Sequence, residues 1–334
     1  MKLLYLPNAY SQQRQREKKA KIYPVLMAME AEWYRKKGYK VLWHNYDCWQ
    51  SDLAYKVNGI LQRFDIIQEP EGLPFLSLPS PDRVFTRAKE YTSGNYKYLP
   101  GTHIQAANGC WHGKCTFCVE NGKPYEVRPV EDVLDEIGEC ILQGFNEVFD
   151  DSGTFPIGKW LEDFCKGMQT TLFNKVVTLG CNMRMVDVDY AMMKRAGFRM
   201  LLFGLESANQ ETLDRINKGV RVEDVKYIIK AAKAGLEPHL SVMFGYPWET
   251  DRDAVNTLHL VRYLLRKGYA KTAQASLYNP GSGELGNISH RKYVKGIYKA
   301  GFYPEFWFNQ IKDIRNKDDL KYLWRKIKAG LKSR

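Results

Sequence analysis

The chain is predicted to be an α/β protein whose main body is an open or partial barrel of six β/α units. Three observations predict it. From Thr102 onward, short apolar runs alternate steadily with amphipathic stretches. Several amphipathic stretches stop at a glycine (Gly197, Gly235, Gly268) beside the next run, as helix-to-strand turns prefer. The polar clusters that could carry chemistry fall directly after the runs, and in parallel α/β folds ligands sit at the carboxyl ends of the strands. Six units are too few for a closed eight-stranded barrel.

At the N-terminus, residues 2–6 (KLLYL) are expected to form a strand, Tyr23–Lys37 a helix ending at Gly38, and Lys40–Trp43 a second strand. This β–α–β opening is followed by Gln68–Arg87, rich in Pro and without a period, which is expected to be a connector. In the main body the expected strands are His103–Ala107, Glu147–Asp150, Val176–Gly180, Arg199–Phe203, His239–Phe244 and Thr272–Leu277. The expected helices are Val130–Leu142, Lys159–Gln169, Asp187–Ala196, Gln210–Lys218 with Val222–Ala234, and Asp251–Arg266. Val133, Ile137 and Ile141 recur four apart and draw one apolar stripe on the first of them. The organisation expected is a small Rossmann-like unit with its connector over 1–85, a core over 86–284, and a basic helical extension over 285–334.

Composition narrows the function classes. The 334 residues are 44% hydrophobic, enough for a sizeable core, yet no run reaches the ~18 apolar residues of a membrane span. The opening MKLLYLPNAY has no cleavage-site pattern and reads as a strand, so the expected compartment is the cytoplasm. There thiols stay reduced, and clustered cysteines bind metal more often than they form disulfides. The net charge is +12, and Leu285–Arg334 holds thirteen Lys/Arg against four Asp/Glu. Such a segment suits an anionic partner or a solvated helical face. Tyr322, Leu323, Lys326 and Ile327 show helical spacing there, and the extension could cap the barrel and contact substrate. Basic and aromatic residues together would suit nucleic acid, although aromatics at helical spacing more often pack. Nucleic acid is the less favoured partner, behind a small molecule or peptide.

The stretch NGCWHGKCTFCVE, Asn108–Glu120, holds Cys110, Cys115 and Cys118 directly after the first barrel strand. Three thiolates suit an iron–sulfur cluster that keeps one iron open, whereas four would close it. Gly109 and Gly113 let the backbone wrap closely, and Lys114 adds positive charge. The competing reading is a zinc site completed by His112 or His103. With the basic tail, that reading gives a zinc-stabilised nucleic-acid-binding protein. Cys48, Cys140, Cys165 and Cys181 do not cluster, so a second cluster is not expected. Cys181 is expected at a strand end facing the site.

The loop resembles the signature of the radical SAM superfamily, usually C-x3-C-x2-C with an aromatic before the last Cys, a place Phe117 fills. It departs in one respect: four residues, WHGK, separate Cys110 from Cys115 where three are usual. Later strand ends agree with the resemblance. Phe149–Pro156, with Asp150 and Asp151, resembles the acidic motif that meets the amino group of S-adenosylmethionine; a helix cap is the alternative. Asn182 and Arg184 alternate with Cys181 and Met183 after the third strand. Glu206 and Ser207 resemble residues near the ribose and methionine carboxylate, with Ser207 or Asn209 as a cap the alternative. Met243–Thr250 resembles the G-x-P-x-E-T turn beside the adenine, where Gly245 and Pro247 shape the turn and Glu249 orients it. Pro280-Gly281-Ser282 nearly matches a Pro-Gly-Thr turn of relatives.

The resemblance covers about Thr102–Glu284 and implies a partial (β/α)6 TIM-like barrel of the radical SAM type. It implies a [4Fe–4S] cluster on Cys110, Cys115 and Cys118, with S-adenosylmethionine on the open iron. It further implies reductive cleavage to a 5′-deoxyadenosyl radical, hydrogen abstraction from an unidentified substrate, and an electron donor such as ferredoxin or flavodoxin. The N-terminal unit resembles a shortened cobalamin-binding domain. It lacks the D-x-H-x-x-G motif, and His44 follows the second strand without those neighbours, so cobalamin is not expected.

Overall fold

The computed structural model describes residues 2–5, 25–42, 65–67, 73–91, 94, 96–279, 287–299 and 303–332. The N-terminal unit holds strand β1 (Lys2–Tyr5), helix α1 (Val25–Lys36), and strands β2 (Lys40–Leu42) and β3 (Asp65–Ile67). The three strands form a parallel sheet in the order β2-β1-β3. Gly38, at φ +84°, ends α1 and lets the Tyr39 amide reach the Tyr34 carbonyl at 3.1 Å. Trp43, His44 and Cys48 lie outside the described residues.

The main sheet follows. Its strands are β4 (Gly101–Ile104), β7 (Glu147–Asp150), β8 (Thr178–Met183), β9 (Phe198–Glu206), β10 (Glu237–Phe244) and β11 (Thr272–Leu277), all parallel and adjacent in chain order. A two-stranded ribbon, β5 (Ala107–Asn108) with β6 (Glu126–Val127), sits after β4. The helices are α2 (Val130–Leu142), α3 (Lys159–Thr170), α4 (Tyr190–Arg195), α5 (Gln210–Arg215), α6 (Val225–Lys233) and α7 (Asp251–Lys267). After the sheet come α8 (Arg291–Tyr298), α9 (Pro304–Ile311) and α10 (Lys317–Lys332). This is a partial barrel of six parallel strands with helices outside it. Among the described residues no helix is long and apolar enough to cross a membrane.

The expected strand over His103–Ala107 divides in two. The chain leaves the sheet after Ile104 because the Asp150 carboxylate takes the Ala106 amide at 2.6 Å, and Ala107–Asn108 then pairs antiparallel with Glu126–Val127. The third strand starts at Thr178, since Val176 and Val177 close a short turn onto the Phe173 carbonyl.

Alternation assigns the two faces of the sheet. Val148, Leu179, Cys181, Leu201, Phe203, Leu240, Val242 and Phe244 belong to the main core, with Val133, Ile137, Phe164, Ile228 and Val261 of the helices. Inside the barrel, Phe149 packs with Tyr96 and Met200. The α2 stripe buries Val133, Ile137 and Cys140, with Ile141 only partly covered, and it also buries Glu136. Glu136 accepts from Arg83 and from Arg128, each at 2.5 Å. Burial alone would raise its pKa, but the two guanidiniums outweigh it and hold the carboxyl below its usual range. Arg83 lies in the stretch expected as a connector, which is therefore pinned into the core.

The extension closes the end of the barrel opposite the strand carboxyl termini. At that end Arg199 pairs with Glu147 at 2.5 Å and with Glu237 at 2.7 Å, and Lys97 links Glu237 to Asp319 of α10 at 2.8 Å. Arg325 of α10 donates to the carbonyls of Tyr96 and Lys97 at 3.0 Å, and Tyr322 is buried against this plug. So α10 caps the barrel at its floor, away from the strand carboxyl ends, because its acidic first turn meets Lys97 and its inner arginine meets backbone carbonyls there.

Candidate active site

The cysteine loop leaves β5 and returns to β6, and this ribbon clamps its base. Cys115 is buried, while Cys110 and Cys118 are half-buried. Gly109 has φ +81°, and the Pro124 carbonyl oxygen occupies the space a Cβ would need. The Gly122 amide donates to the Gly113 carbonyl at 2.9 Å, and the Cys118 amide to Cys115 at 3.1 Å. Burial pushes the Cys118 thiol up, and the neighbouring Cys115 and Cys110 add to the shift. A thiol in such company becomes a thiolate when a metal binds it. Among the described residues, no group of three or more His, Cys, Asp and Glu side chains is gathered around a single ion position. His112 Nε2 lies 2.7 Å from the Asn217 carbonyl oxygen, and His103 Nδ1 is hydrogen-bonded to the Tyr96 hydroxyl inside the barrel.

The segment after β7 folds under the loop. Asp150 is fully enclosed and accepts from the amides of Ala106 at 2.6 Å and Ser152 at 3.1 Å. Burial raises its pKa to about 6, against the lowering effect of those donors. Ser152 Oγ accepts from the Ala107 amide at 2.8 Å, and a Cβ on Gly153 would press on the Gly109 carbonyl oxygen at 2.6 Å. Asp150 thus joins the cysteine loop to β7, while Asp151 is exposed at the strand end. From β8, Asn182 donates to the Ser152 carbonyl at 2.9 Å, and Arg184 Nη1 stands 3.9 Å from Cys115 Sγ. Cys181 does not face this space. Its alternation turns it outward into the core with Cys165, and burial pushes its thiol well up.

At the end of β9, Glu206 has a left-handed backbone, φ +60°, rare for a residue with a side chain. Its carboxylate meets Lys218 Nζ at 2.8 Å, and Gly204 leaves the room for that pair. Lys218 Nζ also lies 5.7 Å from the centre of the Phe117 ring. Ser207 turns away: its hydroxyl accepts from the Asn209 amide at 3.2 Å and lies 3.4 Å from Thr257 Oγ1. After β10, Glu249 accepts from the Gly245 amide at 2.5 Å and pairs with His290 Nδ1 at 2.8 Å. Gly245 has φ +83° and sits tight against Asn287. Tyr246 stacks on Trp248 at 5.6 Å between ring centres and packs tilted against Tyr278 at 4.7 Å. Pro280–Glu284 lie outside the described residues.

Reasoning from the sequence missed Trp111, Lys218, Tyr246 and His290. Only Lys218 left a signal: it sits between Asn217 (φ +50°) and Gly219 (φ +64°), two residue types suited to left-handed turns.

Several buried polar atoms here have no partner among the described residues: Trp111 Nε1, Glu120 Oε2, Thr154 Oγ1, Arg184 Nε, the Tyr246 hydroxyl and Glu249 Oε1. Buried polar groups are ordinarily paired, so these open atoms at the carboxyl edge fit a site that receives a polar ligand. Three thiols on one loop, with the Arg184 guanidinium beside Cys115, are a donor set that fits an iron–sulfur cluster.

Residues 104–261 match the family model described as the radical SAM superfamily. No curated protein matches the chain. Among solved structures, it is similar to the radical S-adenosylmethionine methyltransferase TsrM from Kitasatospora setae with cobalamin and a [4Fe–4S] cluster bound. The two share 20% identity and a TM-score of 0.50, over 64% of this chain and 39% of that one. A second TsrM structure, with tryptophan substrate and a SAM analogue, gives the same identity and score over 64% and 41%. The cobalamin-dependent radical enzyme OxsB, with aqua-cobalamin and S-adenosylmethionine bound, gives 14% identity and a TM-score of 0.48 over 88% and 44%. The chain thus spans about two fifths of the length of these three solved structures. Identity this low speaks to the fold alone, and that fold is the partial barrel of parallel strands built here. Through residues 104–261, just under half of its length, the chain is thus similar to the radical SAM superfamily.

Proposed function

We propose that this chain cleaves S-adenosylmethionine reductively and modifies a small molecule or peptide at an unactivated C–H bond. The observation that carries the reading is the loop of Cys110, Cys115 and Cys118 at the carboxyl edge, facing Arg184 and the Glu206–Lys218 pair. Bound there, a [4Fe–4S] cluster would supply the one electron for cleavage of S-adenosylmethionine to methionine and a 5′-deoxyadenosyl radical, which would take a hydrogen atom from the substrate. The three cysteines hold the cluster through their thiolates. Asp151 offers a carboxylate to the amino group of S-adenosylmethionine, while Asp150 keeps the turn under the loop. Lys218 and Arg184 provide positive charge for the methionine carboxylate, with Glu206 and Asn182 fixing the surrounding polar frame. Phe117 covers the cysteine loop, and Gly245 with Glu249 shapes the turn for the adenine. Ser207 serves that frame indirectly, through the start of α5.

In this reading residues 1–85 are a degenerate cobalamin-binding-like unit that does not take up cobalamin, 86–284 the core, and 285–334 the extension. The reading calls for an electron donor such as ferredoxin or flavodoxin. The test is anaerobic reconstitution with iron and sulfide, then incubation with reductant and S-adenosylmethionine, assaying 5′-deoxyadenosine. The variant with all three cysteines changed to Ala should form none. Formation at the wild-type rate would overturn the reading. Corrinoid absorbance after incubation with cobalamin would overturn the reading of the N-terminal unit.

A further inference from the structure

The extra residue in WHGK is used by the fold. His112 Nε2 is hydrogen-bonded to the Asn217 carbonyl at 2.7 Å, and its ring lies so close over Gly219 that any Cβ there would overlap it. The Thr116 amide donates to the Ile216 carbonyl at 3.0 Å. The cysteine loop is therefore stitched to the segment Ile216–Gly219 on both sides of Cys115. Within the stitch lies Arg184, 5% exposed. Its Nη2 donates to the Lys218 carbonyl, its Nη1 is 3.9 Å from Cys115 Sγ, and its guanidinium carbon is 5.0 Å from the centre of the Trp111 ring. Guanidinium stays charged at any working pH, and an aromatic face holds it flat.

Resting on the proposed cluster, we infer that Arg184, clamped by Trp111, sets the reduction potential of that cluster through Cys115. Reduction adds one negative charge to the cluster. A fixed cation beside one ligand, screened from water, favours that reduced state, and hydrogen bonds to sulfur act in the same direction. Arg184 and Trp111 are positioning residues here. The lengthened loop gives Trp111 its place over the guanidinium while His112 anchors the far side.

The test is an EPR-monitored redox titration of the full chain, reconstituted anaerobically and kept free of S-adenosylmethionine, so that any contact of Arg184 with that molecule plays no part. Arg184→Gln should disfavour reduction about tenfold, about 59 mV more negative for a one-electron couple. Arg184→Lys should recover most of that shift. Trp111→Ala should move the potential in the same direction by less, and Trp111→Phe should leave it near wild type. A wild-type potential in Arg184→Gln with the cluster intact overturns the inference. If Arg184→Gln holds no iron, a wild-type potential in Trp111→Ala overturns it instead. Failure of the wild-type chain to show any reducible cluster is a different result, and it removes the proposed function itself.

Discussion

Glu206 leaves the end of β9 with a left-handed backbone and places its Oε1 2.8 Å from Lys218 Nζ, across the space that Gly204 keeps open. Both side chains are nearly enclosed, so neither charge can turn to water. Removing one partner of a buried pair leaves the other uncompensated, at roughly 3–5 kcal/mol. Lys218→Met should therefore lower unfolding free energy by several kcal/mol in urea denaturation, and the double change Lys218→Met with Glu206→Gln should recover part of it. An additive loss in the double variant would show that the pair is not coupled.

Asp150 provides a pH signature. Its folded pKa, about 6, lies above the ordinary 3.8. A raised carboxyl binds its proton more tightly when folded, so its contribution is full below about pH 4 and is lost as pH rises through about 6. Comparing denaturation of wild type and Asp150→Asn at several pH values between 4 and 7 isolates this group from other carboxylates. The stability of wild type relative to the variant should fall across that window. A difference that stays constant would place the Asp150 titration elsewhere.

The Arg83–Glu136–Arg128 network should be among the most sensitive points in the core. Glu136→Ala leaves two enclosed guanidiniums without their carboxylate, at roughly 3–5 kcal/mol. Thermal unfolding should show the loss. A change no larger than that of a surface substitution, about 0.5 kcal/mol, would show that the guanidiniums find other partners.

Gly153→Ala tests the contact between the β7 turn and the cysteine loop. The added methyl would press on the Gly109 carbonyl oxygen, which backbone cannot readily yield. The variant should keep its far-UV circular dichroism yet bind less iron on reconstitution. Full iron content would mean that the loop tolerates displacement.

Much of the fold was legible in the sequence because its signals are local. Helix α2 and strands β7 and β11 have the expected bounds, since apolar period, terminal turns and glycine stops act over a few residues. The break after Ile104 was not legible. It depends on a carboxylate 44 residues away taking the Ala106 amide. Likewise the stripe of Val133, Ile137 and Ile141 does not include Glu136, and nothing local announces that two arginines, 53 and 8 residues distant, enclose it.

The sequence by itself determined the order of β and α units, the loop of three cysteines, and the carboxyl edge on which the polar motifs fall. Spacing along the chain is enough for these, because a parallel β/α unit always brings its strand end to the same rim. Only the tertiary structure decided which side chains at that rim meet. It turned Cys181 outward by strand alternation, tied Ser207 into the helix starts, drew Lys218 to Glu206, and laid Trp111 over Arg184 beside Cys115. It also sent the basic extension to the floor of the barrel, where Asp319 pairs with Lys97 and Arg325 donates to the Tyr96 and Lys97 carbonyls. Each of these outcomes depends on the direction of a side chain relative to a distant neighbour, and the barrel's closure fixes that direction.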